Sequence, residues 1–578
     1  MSHSFHHTLP FGAELQPDGA TRFRIWAPSA ETVTLKLPTR HVPLTATPDG
    51  WHEGTADAPD GTAYRFVLPD GLNVPDPASR RQYEDVHGDS EVVDPRRFRW
   101  QHGDWAGRPW HEAVIYECHA GLMGGFSGIE ERLPELKRLG FTVIELMPIA
   151  DGPGERNWGY DGVLPYAPSR AFGSPDELKS MIDAAHGHGL MVMLDVVYNH
   201  FGPDGAYVYA YARRFFRDDI TTPWGAAIDF RQVEVRDYFA QNALFWLNEY
   251  RFDGLRFDAV HAISEEDFLI ETAGAIRAAT PGRNIHLVLE HENNRAALLR
   301  TKNEPLFDAQ WADDMHHALH VLLTGESEGY YADFQDATAM LARTLRDGFA
   351  YQGDVSPHLG RPRGEPSGHL PPTAFVMCLQ NHDQIGNRAM GDRLTTLASP
   401  AALRAATVLL LLSPYIPLMF MGEEYASTTP FQFFTSHNEE LAELVRIGRR
   451  SEFKDFAAFR DEALRAQIPD PNAFATYDSS RPEPTDPAHA EWIGTLLRLR
   501  AKHIVAGIPG CRSVAADVLG EGAVGASWVL GTGETLGILL NLGSTAITAQ
   551  PEARAMLYAT PGATPAHLPP GSAVVTLG

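Results

Sequence analysis

Residues 190–197, LMVMLDVV, form an apolar, β-branched run that is soon followed by the polar pair Asn199 and His200. Runs of this kind, separated by amphipathic helical stretches, are typical of buried parallel strands in βα units. Eight of them can be counted, namely Ala113–Cys118, Thr142–Met147, Leu190–Val197, Gly254–Phe257, Ile285–Leu289, Leu306–Trp311, Ala374–Leu379 and Ile416–Met421. Because eight parallel strands close a (β/α)₈ barrel, the sequence predicts an α/β fold of the TIM-barrel type.

Two shorter regions flank the predicted barrel. Residues 1–105 contain alternating runs such as Thr21–Trp26 and Thr62–Leu68 between Pro, Gly and Asp turns, a pattern typical of a β-sandwich. Residues 511–578 combine Gly, Ala and Thr with short apolar runs and predict a small C-terminal β domain, which leaves residues 106–510 for the barrel and its inserted loops. The alternative of a doubly wound open sheet is disfavoured, because no Gly-rich phosphate loop follows the first predicted strand.

The composition narrows the range of partners. The 578 residues include 74 acidic and 48 basic side chains, a net charge of −26 that repels polyanions, so no nucleic-acid partner is expected. Neither a signal peptide nor an apolar stretch of membrane-spanning length is visible, which predicts a cytoplasmic protein without membrane contact. Cys118, Cys378 and Cys511 lack metal-ligand spacing, and neither a metal nor another cofactor is expected.

Three acidic residues stand directly after predicted strands, where the chemistry of such barrels is located. Asp258 follows the fourth run, Glu290 the fifth and Asp383 the seventh. Glycosidic cleavage uses one carboxylic acid to protonate the leaving oxygen and one carboxylate to attack the anomeric carbon. Asp258 is the predicted nucleophile because Arg256, two residues earlier on the same strand face, can pair with it. Glu290 is the predicted general acid/base, and Asp383 is the third carboxylate.

Each of these residues has a plainer interpretation. A single acid at a strand end is more often a loop cap or an ion-pair partner, but three of them at strand ends favour catalysis. Glu292, two residues beyond Glu290, stays open as an alternative acid. Trp158 and Tyr160, in a Gly-rich loop, are candidates for stacking on sugar rings, although core packing also explains an aromatic residue such as Trp158.

The predicted site falls on four short segments, Asp195–His200 (DVVYNH), Gly254–Asp258 (GLRFD), Leu287–Glu290 (LVLE) and Asn381–Gln384 (NHDQ). In this order they resemble the motifs of the α-amylase family of glycoside hydrolases. The resemblance covers the barrel, and residues 11–28 look like the β-sandwich that precedes it in branching and debranching relatives. It implies catalytic roles for the three acids, sugar-binding roles for His200, Arg256 and His382, and a stacking role for Tyr160.

Further segments are similar to the maltooligosyltrehalose trehalohydrolase branch of that family, among them Arg156–Gly162, Asp313–His317, Thr324–Tyr331, Gln380–Arg388 and Thr429–Phe434. This resemblance implies retaining cleavage of the α-1,4 bond beside the terminal trehalose of maltooligosyltrehalose, and functional pairing with a maltooligosyltrehalose synthase. Asp313, Asp314 and Phe431 then become candidates for contacts with the trehalose end. The alternatives are a 1,4-α-glucan branching enzyme, a general α-amylase or a non-catalytic glucan-binding protein. The loop His119–Phe126 is shorter than the family pattern.

Overall fold

The protein is built around a closed barrel of eight parallel strands, each hydrogen-bonded to the next in chain order. It is seen in a computed structural model that describes residues 3–301, 304, 306–454, 456–549 and 554–578. The barrel strands, numbered 1 to 8 along the chain, are Ile115–Cys118, Val143–Leu146, Met191–Val196, Gly254–Phe257, His286–Leu289, Ala309–Trp311, Phe375–Cys378 and Ile416–Phe420. Each lies within one of the eight apolar runs, so the predicted (β/α)₈ barrel is confirmed.

The interior of the barrel changes character along its axis. Because successive side chains of a strand point to opposite faces, residues two apart share the interior. The amino-terminal half holds an apolar cluster that includes Ile115, Val143 and Val288. Two residues further along the same chain segments stand Glu117, Glu145 and Glu290. The charged half therefore lies at the carboxyl ends of the strands.

Amphipathic helices cover the outside of the barrel. The second one begins at a capping box, in which Ser174 Oγ accepts a hydrogen bond from Glu177 N and the Glu177 carboxylate accepts one from Ser174 N. Among the described residues, no helix combines the length and the apolar character needed to cross a membrane. The longer helices are Gly125–Leu139, Pro175–Gly187, Val233–Asn248, Glu266–Ala279, Asp313–Thr324, Ala337–Asp347, Pro400–Leu412, Glu439–Glu452 and Pro487–His503.

Antiparallel β domains stand at both ends of the chain. The N-terminal one has two sheets: Gly12–Leu15, Thr21–Trp26, Trp51–Ala56 and Thr45–Ala46 form the first, and Arg40–Pro43, Thr34–Leu37, Ala63–Val67, Asn73–Val74 and Ser90–Glu91 form the second. The C-terminal domain has a five-stranded sheet of Arg512–Gly520, Ala523–Val529, Thr535–Asn541, Ser572–Leu577 and Ala555–Ala559. The expected sandwich, barrel and C-terminal β domain are therefore all present.

Buried charges join the N-terminal domain to the barrel. The guanidinium of Arg80 lies 3.1 Å from Glu14 Oε2 in the same domain and 3.4 Å from Glu249 Oε2, which follows a barrel helix. Trp26 and Trp51 of this domain are buried as well. The ion pair with Glu249 fixes the domain against the barrel, and the two indoles expose little surface to a sugar.

Candidate active site

Arg256 is the centre of the charged half of the barrel. Its Nη1 lies 2.5 Å from Asp195 Oδ2 and 2.8 Å from Asp258 Oδ1, and its Nη2 lies 2.8 Å from Glu290 Oε2. The angle of the last contact does not make a hydrogen bond, but the opposite charges still attract. The guanidinium also stacks over Trp311, 4.1 Å from the ring centroid. One fully buried arginine thus brings together acids from three strands.

Asp258, the predicted nucleophile, is held at both of its carboxylate oxygens. Oδ1 pairs with Arg256, and Oδ2 accepts a hydrogen bond of 2.9 Å from Asn199 Nδ2. Asn199 also donates to the backbone carbonyl of Asp258 over 2.8 Å. These contacts fix the rotamer of a carboxylate whose side chain keeps only 10 % of its surface exposed.

Glu290, the predicted acid/base, faces the same guanidinium. Its Oε2 accepts a hydrogen bond of 2.7 Å from the backbone N–H of Ala259, the residue directly after the nucleophile. Ala259 adopts the left-handed conformation, with φ of 39°, which costs about 1–2 kcal/mol for a residue with a Cβ. The turn after strand 4 therefore aims one N–H at the carboxylate that follows strand 5.

Asp383 lies in the first turn of the short helix His382–Gly386, after strand 7. Asn381 caps this helix by accepting the N–H groups of Asp383 and Gln384 at 2.9 and 3.3 Å. Asp383 Oδ1 accepts from Asn387 Nδ2 at 3.1 Å and lies 3.4 Å from His382 Nε2. With 35 % of its side chain exposed, Asp383 is the most open of the three predicted catalytic acids.

Tyr160 and His200 form one wall of this site. Tyr160 donates its hydroxyl to Asp195 Oδ2 over 2.6 Å, and its ring stacks on His382 with centroids 5.2 Å apart. His200 Nε2 contacts the carbonyl of Tyr160 at 3.0 Å, and burial lowers the pKa of His200 to about 4. His200 is therefore a neutral imidazole at neutral pH.

Other residues expected to touch substrate occupy different positions. Trp158 is buried, donates its indole N–H to the Gln432 carbonyl over 3.0 Å and stacks on Phe431. Phe431 has no exposed surface, and Asp314 is enclosed by Arg363 at 3.0 Å and by the N–H of Ala350 at 2.8 Å. The expectation of direct sugar contacts for Phe431 and Asp314 is wrong for this conformation, because neither side chain reaches an open surface.

Asp313, by contrast, is only half-buried. Its Oδ1 lies 3.4 Å from Gln384 Nε2. Burial, together with the charges of Glu290 and Asp383, raises the pKa of Asp313 to about 7. A carboxyl group near half-protonation can both donate and accept hydrogen bonds, as contact with sugar hydroxyls requires.

An open cavity of about 280 Å³ adjoins Asp383. This volume is close to the lower end of the range of about 300–1,000 Å³ that is typical of small-molecule sites. Glu292, the alternative acid, opens onto this cavity, whereas Glu290 contacts Arg256 beside the nucleophile. The lining residues are Glu292, His317, Asp333, Phe334, His358, Leu359, Arg363, Asp383, Gln384 and Asn387.

The sequence reasoning missed three groups at this site. Asp195 and Glu117 are carboxylates inside strands 3 and 1, and a charge within an apolar run was the available signal for both. Trp224 lies in the turn of the hairpin Phe216–Thr222 and Gly225–Ile228, where it stacks on His200 with centroids 4.5 Å apart and stays 47 % exposed. Within the described parts of the chain, no group of three or more His, Cys, Asp or Glu side chains is arranged to hold a metal.

Three family models match the chain. The α-amylase catalytic domain matches residues 92–219, carbohydrate-binding module 48 (the isoamylase N-terminal domain) matches residues 10–77, and a domain of unknown function matches residues 511–575. A crystal structure of an α-amylase candidate from Salmonella typhimurium is 43% identical, covers 98% of this chain and 99% of that one, and superposes with a TM-score of 0.94. A pullulanase from Anoxybacillus, at 19% identity and a TM-score of 0.71, shares the fold.

Curated relatives are similar over most of the chain. The malto-oligosyltrehalose trehalohydrolases of Deinococcus radiodurans and a Rhizobium species are each 42% identical, over 81% and 82% of this chain and 78% and 82% of their own lengths. The enzyme of the same name from Saccharolobus solfataricus is 38% identical over 82% of this chain and 83% of its own. A 1,4-α-glucan branching enzyme from a Jannaschia species is 32% identical over only 44% of this chain.

Proposed function

We propose, from the premise that the chain belongs to the malto-oligosyltrehalose trehalohydrolases of the α-amylase family, that it cleaves the α-1,4 bond beside the terminal trehalose of maltooligosyltrehalose. The products would be trehalose and a shortened maltooligosaccharide. The observation that carries the proposal is the single guanidinium of Arg256 in contact with both Asp258 and Glu290. Two carboxylates on one guanidinium are compact, which fits the separation of about 5–5.5 Å in retaining glycosidases.

In the first step, Asp258 attacks the anomeric carbon. The C–O bond to the leaving sugar breaks as the bond to the carboxylate forms, and Glu290 gives its proton to the departing oxygen. Because Oε2 of Glu290 is held by Ala259 N–H and Arg256, Oε1 is the oxygen that we propose carries this proton. The trehalose unit leaves with a new hydroxyl group.

In the second step, water replaces the leaving sugar. Glu290, now a carboxylate, takes a proton from the water as its oxygen attacks the anomeric carbon, and the bond to Asp258 breaks. Two inversions give net retention of the α configuration. Asp383 and His200 are proposed to hold the hydroxyls of the reacting sugar, and Tyr160 to stack on its ring.

The cavity beside Asp383 and the neighbouring Asp313 are proposed to receive sugars next to the cleaved bond. The cavity wall carries charged and amide groups, including Arg363, Asp333 and Asn387, which can bind hydroxyls. The synthase that would make the trehalose-capped substrate, and the cytoplasmic location, stay predictions.

Chromatography of the products from maltooligosyltrehalose and from the plain maltooligosaccharide of equal length tests the proposal. Free trehalose from the first substrate, with little attack on the second, is the expected result. Comparable cleavage of both would indicate a general α-amylase, and longer branched products would indicate a branching enzyme. The Asp258→Asn protein run beside the wild type excludes a contaminating glycosidase.

A further inference from the structure

A second set of acids lies beneath the proposed catalytic residues. Glu117 of strand 1 and Glu145 of strand 2 are direct neighbours in the barrel register, and each keeps only 1% of its surface exposed. Neither takes part in the mechanism described above. Isolated buried carboxylates are costly, so a partner or a function is expected for each of them.

Glu117 holds His382 at two points. Its Oε1 lies 2.5 Å from His382 Nδ1, and its Oε2 accepts a hydrogen bond of 3.2 Å from the backbone N–H of the same residue. The ring and the backbone of His382 are therefore both bound to strand 1. Glu117 lies on the Nδ1 side of the ring, whereas Asp383 lies on the Nε2 side.

The contact of the second ring nitrogen, Nε2, bears on whether the His382 ring carries one proton or two. His382 Nε2 lies 2.8 Å from the hydroxyl oxygen of Tyr160, whose only proton is donated to Asp195 Oδ2 over 2.6 Å. Because a phenol has one proton to donate, a Tyr160 hydroxyl that donates to the Asp195 carboxylate accepts from Nε2. With Nδ1 donating to the Glu117 carboxylate, both ring nitrogens carry a proton.

We propose that Glu117 is a positioning residue that keeps His382 doubly protonated and holds its ring beside Asp383. The inference rests on the proposed function only in assigning Asp383 to the reacting sugar. A cationic ring attracts the Asp383 carboxylate, whose Oδ1 lies 3.4 Å from Nε2, and keeps it in place for sugar hydroxyls.

The charges around His382 support this protonation state. Burial lowers the pKa of His382, but the carboxylates of Asp383 and Glu117 outweigh burial and raise the pKa to about 9, against the opposing charge of Arg256. His119, which follows strand 1, and Glu145 also interact electrostatically with His382. Burial raises the pKa of Glu145 well above its usual range and so favours its uncharged form.

Glu117→Gln tests the role of the charge, because glutamine keeps the shape and removes it. We expect kcat to fall about 10- to 100-fold. This is the loss that is typical in metalloproteins when a carboxylate that orients a metal-bound histidine is removed. The alkaline limb of the kcat profile should move to lower pH, since His382 would lose its proton more readily. Glu117→Asp keeps the charge and should retain the wild-type limb. Every profile uses a glucan that the wild type cleaves, so the outcome does not depend on the trehalose assignment.

Glu145→Gln is the matched control. Both of its oxygens are buried without a hydrogen-bond partner among the described residues, burial favours its uncharged form, and Gln closely mimics that form. Its alkaline limb should stay at the wild-type pH. An unmoved limb in a folded Glu117→Gln protein, or equal shifts in both variants, would overturn the proposal.

A measurement on the wild type covers the case in which Glu117→Gln fails to fold. In protein labelled with ¹⁵N-histidine at pH 7, His382 should give two ring N–H correlations, assigned by their loss in His382→Asn. A single ring N–H correlation would mean a neutral imidazole and would refute the proposal. This readout needs no substrate, so its result stands even if the proposed activity is wrong.

Discussion

On three barrel strands, an apolar interior side chain in the amino-terminal half is followed, two residues further along the chain, by an acidic one. The pairs are Ile115 and Glu117, Val143 and Glu145, and Val288 and Glu290. The first half removes apolar surface from water and stabilises the fold. The second half buries carboxylates, which costs free energy unless they are paired; Arg256 pairs with Glu290 and His382 with Glu117, whereas Glu145 has no hydrogen-bond partner among the described residues. Stability and chemistry are thus separated along single strands.

The strongest test of this division is Asp258→Asn. Loss of the nucleophile should lower kcat on the order of 10⁵-fold, because the proposed covalent intermediate forms on this carboxylate. Asparagine keeps the hydrogen bond to Asn199 through its amide oxygen, so the unfolding temperature should stay the same or rise. Product assays and calorimetry on the same protein check both parts. A large loss of stability would show that the charged half also holds the fold together.

A second test compares Glu290→Gln with Glu292→Gln. The first variant removes the proposed proton donor and should lower kcat by about 10²–10⁴-fold. The second alters only the wall of the cavity beside Asp383 and should mainly change KM. Steady-state kinetics on maltooligosyltrehalose separates the two, and the reverse ranking would transfer the acid role to Glu292.

Ile115→Ala examines the apolar half. Removing a fully buried isoleucine side chain should lower the free energy of unfolding by about 2–5 kcal/mol through lost burial and a cavity. Because Ile115 lies two residues below Glu117, kcat at a temperature where the variant is folded should stay close to wild type. Urea unfolding and kinetics measure the two effects. A fall in kcat as steep as the fall in stability would break the comparison.

The smallest effect is expected from Trp224→Ala. Trp224 stacks on His200 outside the barrel interior. Its loss should therefore raise KM roughly three- to tenfold through lost stacking and leave the free energy of unfolding unchanged. Tyr83→Ala, at an exposed aromatic of the N-terminal domain, is the control and should leave KM unaltered. An unchanged KM in both variants would indicate that Trp224 does not contribute to substrate binding, which would then involve only the barrel strand ends and their loops.

The sequence predicted the barrel well because each strand lies in a short apolar run, and several of these runs are followed closely by a polar residue. Asp258, Glu290 and Asp383 were identifiable for the same reason, and the structure brings the first two onto Arg256. The pairing of Asp195 with Arg256 was not foreseen, since it depends on the register between strands 3 and 4.

Burial explains the misplaced residues. Phe431 and Asp314 follow barrel strands in the sequence, but whether a side chain points to the cleft or into its wall depends on packing between distant loops. Trp158 covers Phe431, and Arg363 and Ala350 enclose Asp314. The signal for Glu117 was present as a charge within an apolar run, but only the fold shows that His382 lies beside it.

Ala259 sets a limit for anyone who would make this protein more heat-resistant. Glycine at this left-handed position would relieve about 1–2 kcal/mol of backbone strain in the folded protein. It would also raise the conformational entropy of the unfolded chain, which lowers the free energy of unfolding by about 0.4–1 kcal/mol. The N–H that holds Glu290 would then sit on a looser backbone. Selection for heat resistance alone gains little at residue 259, and it risks the alignment of the proton donor.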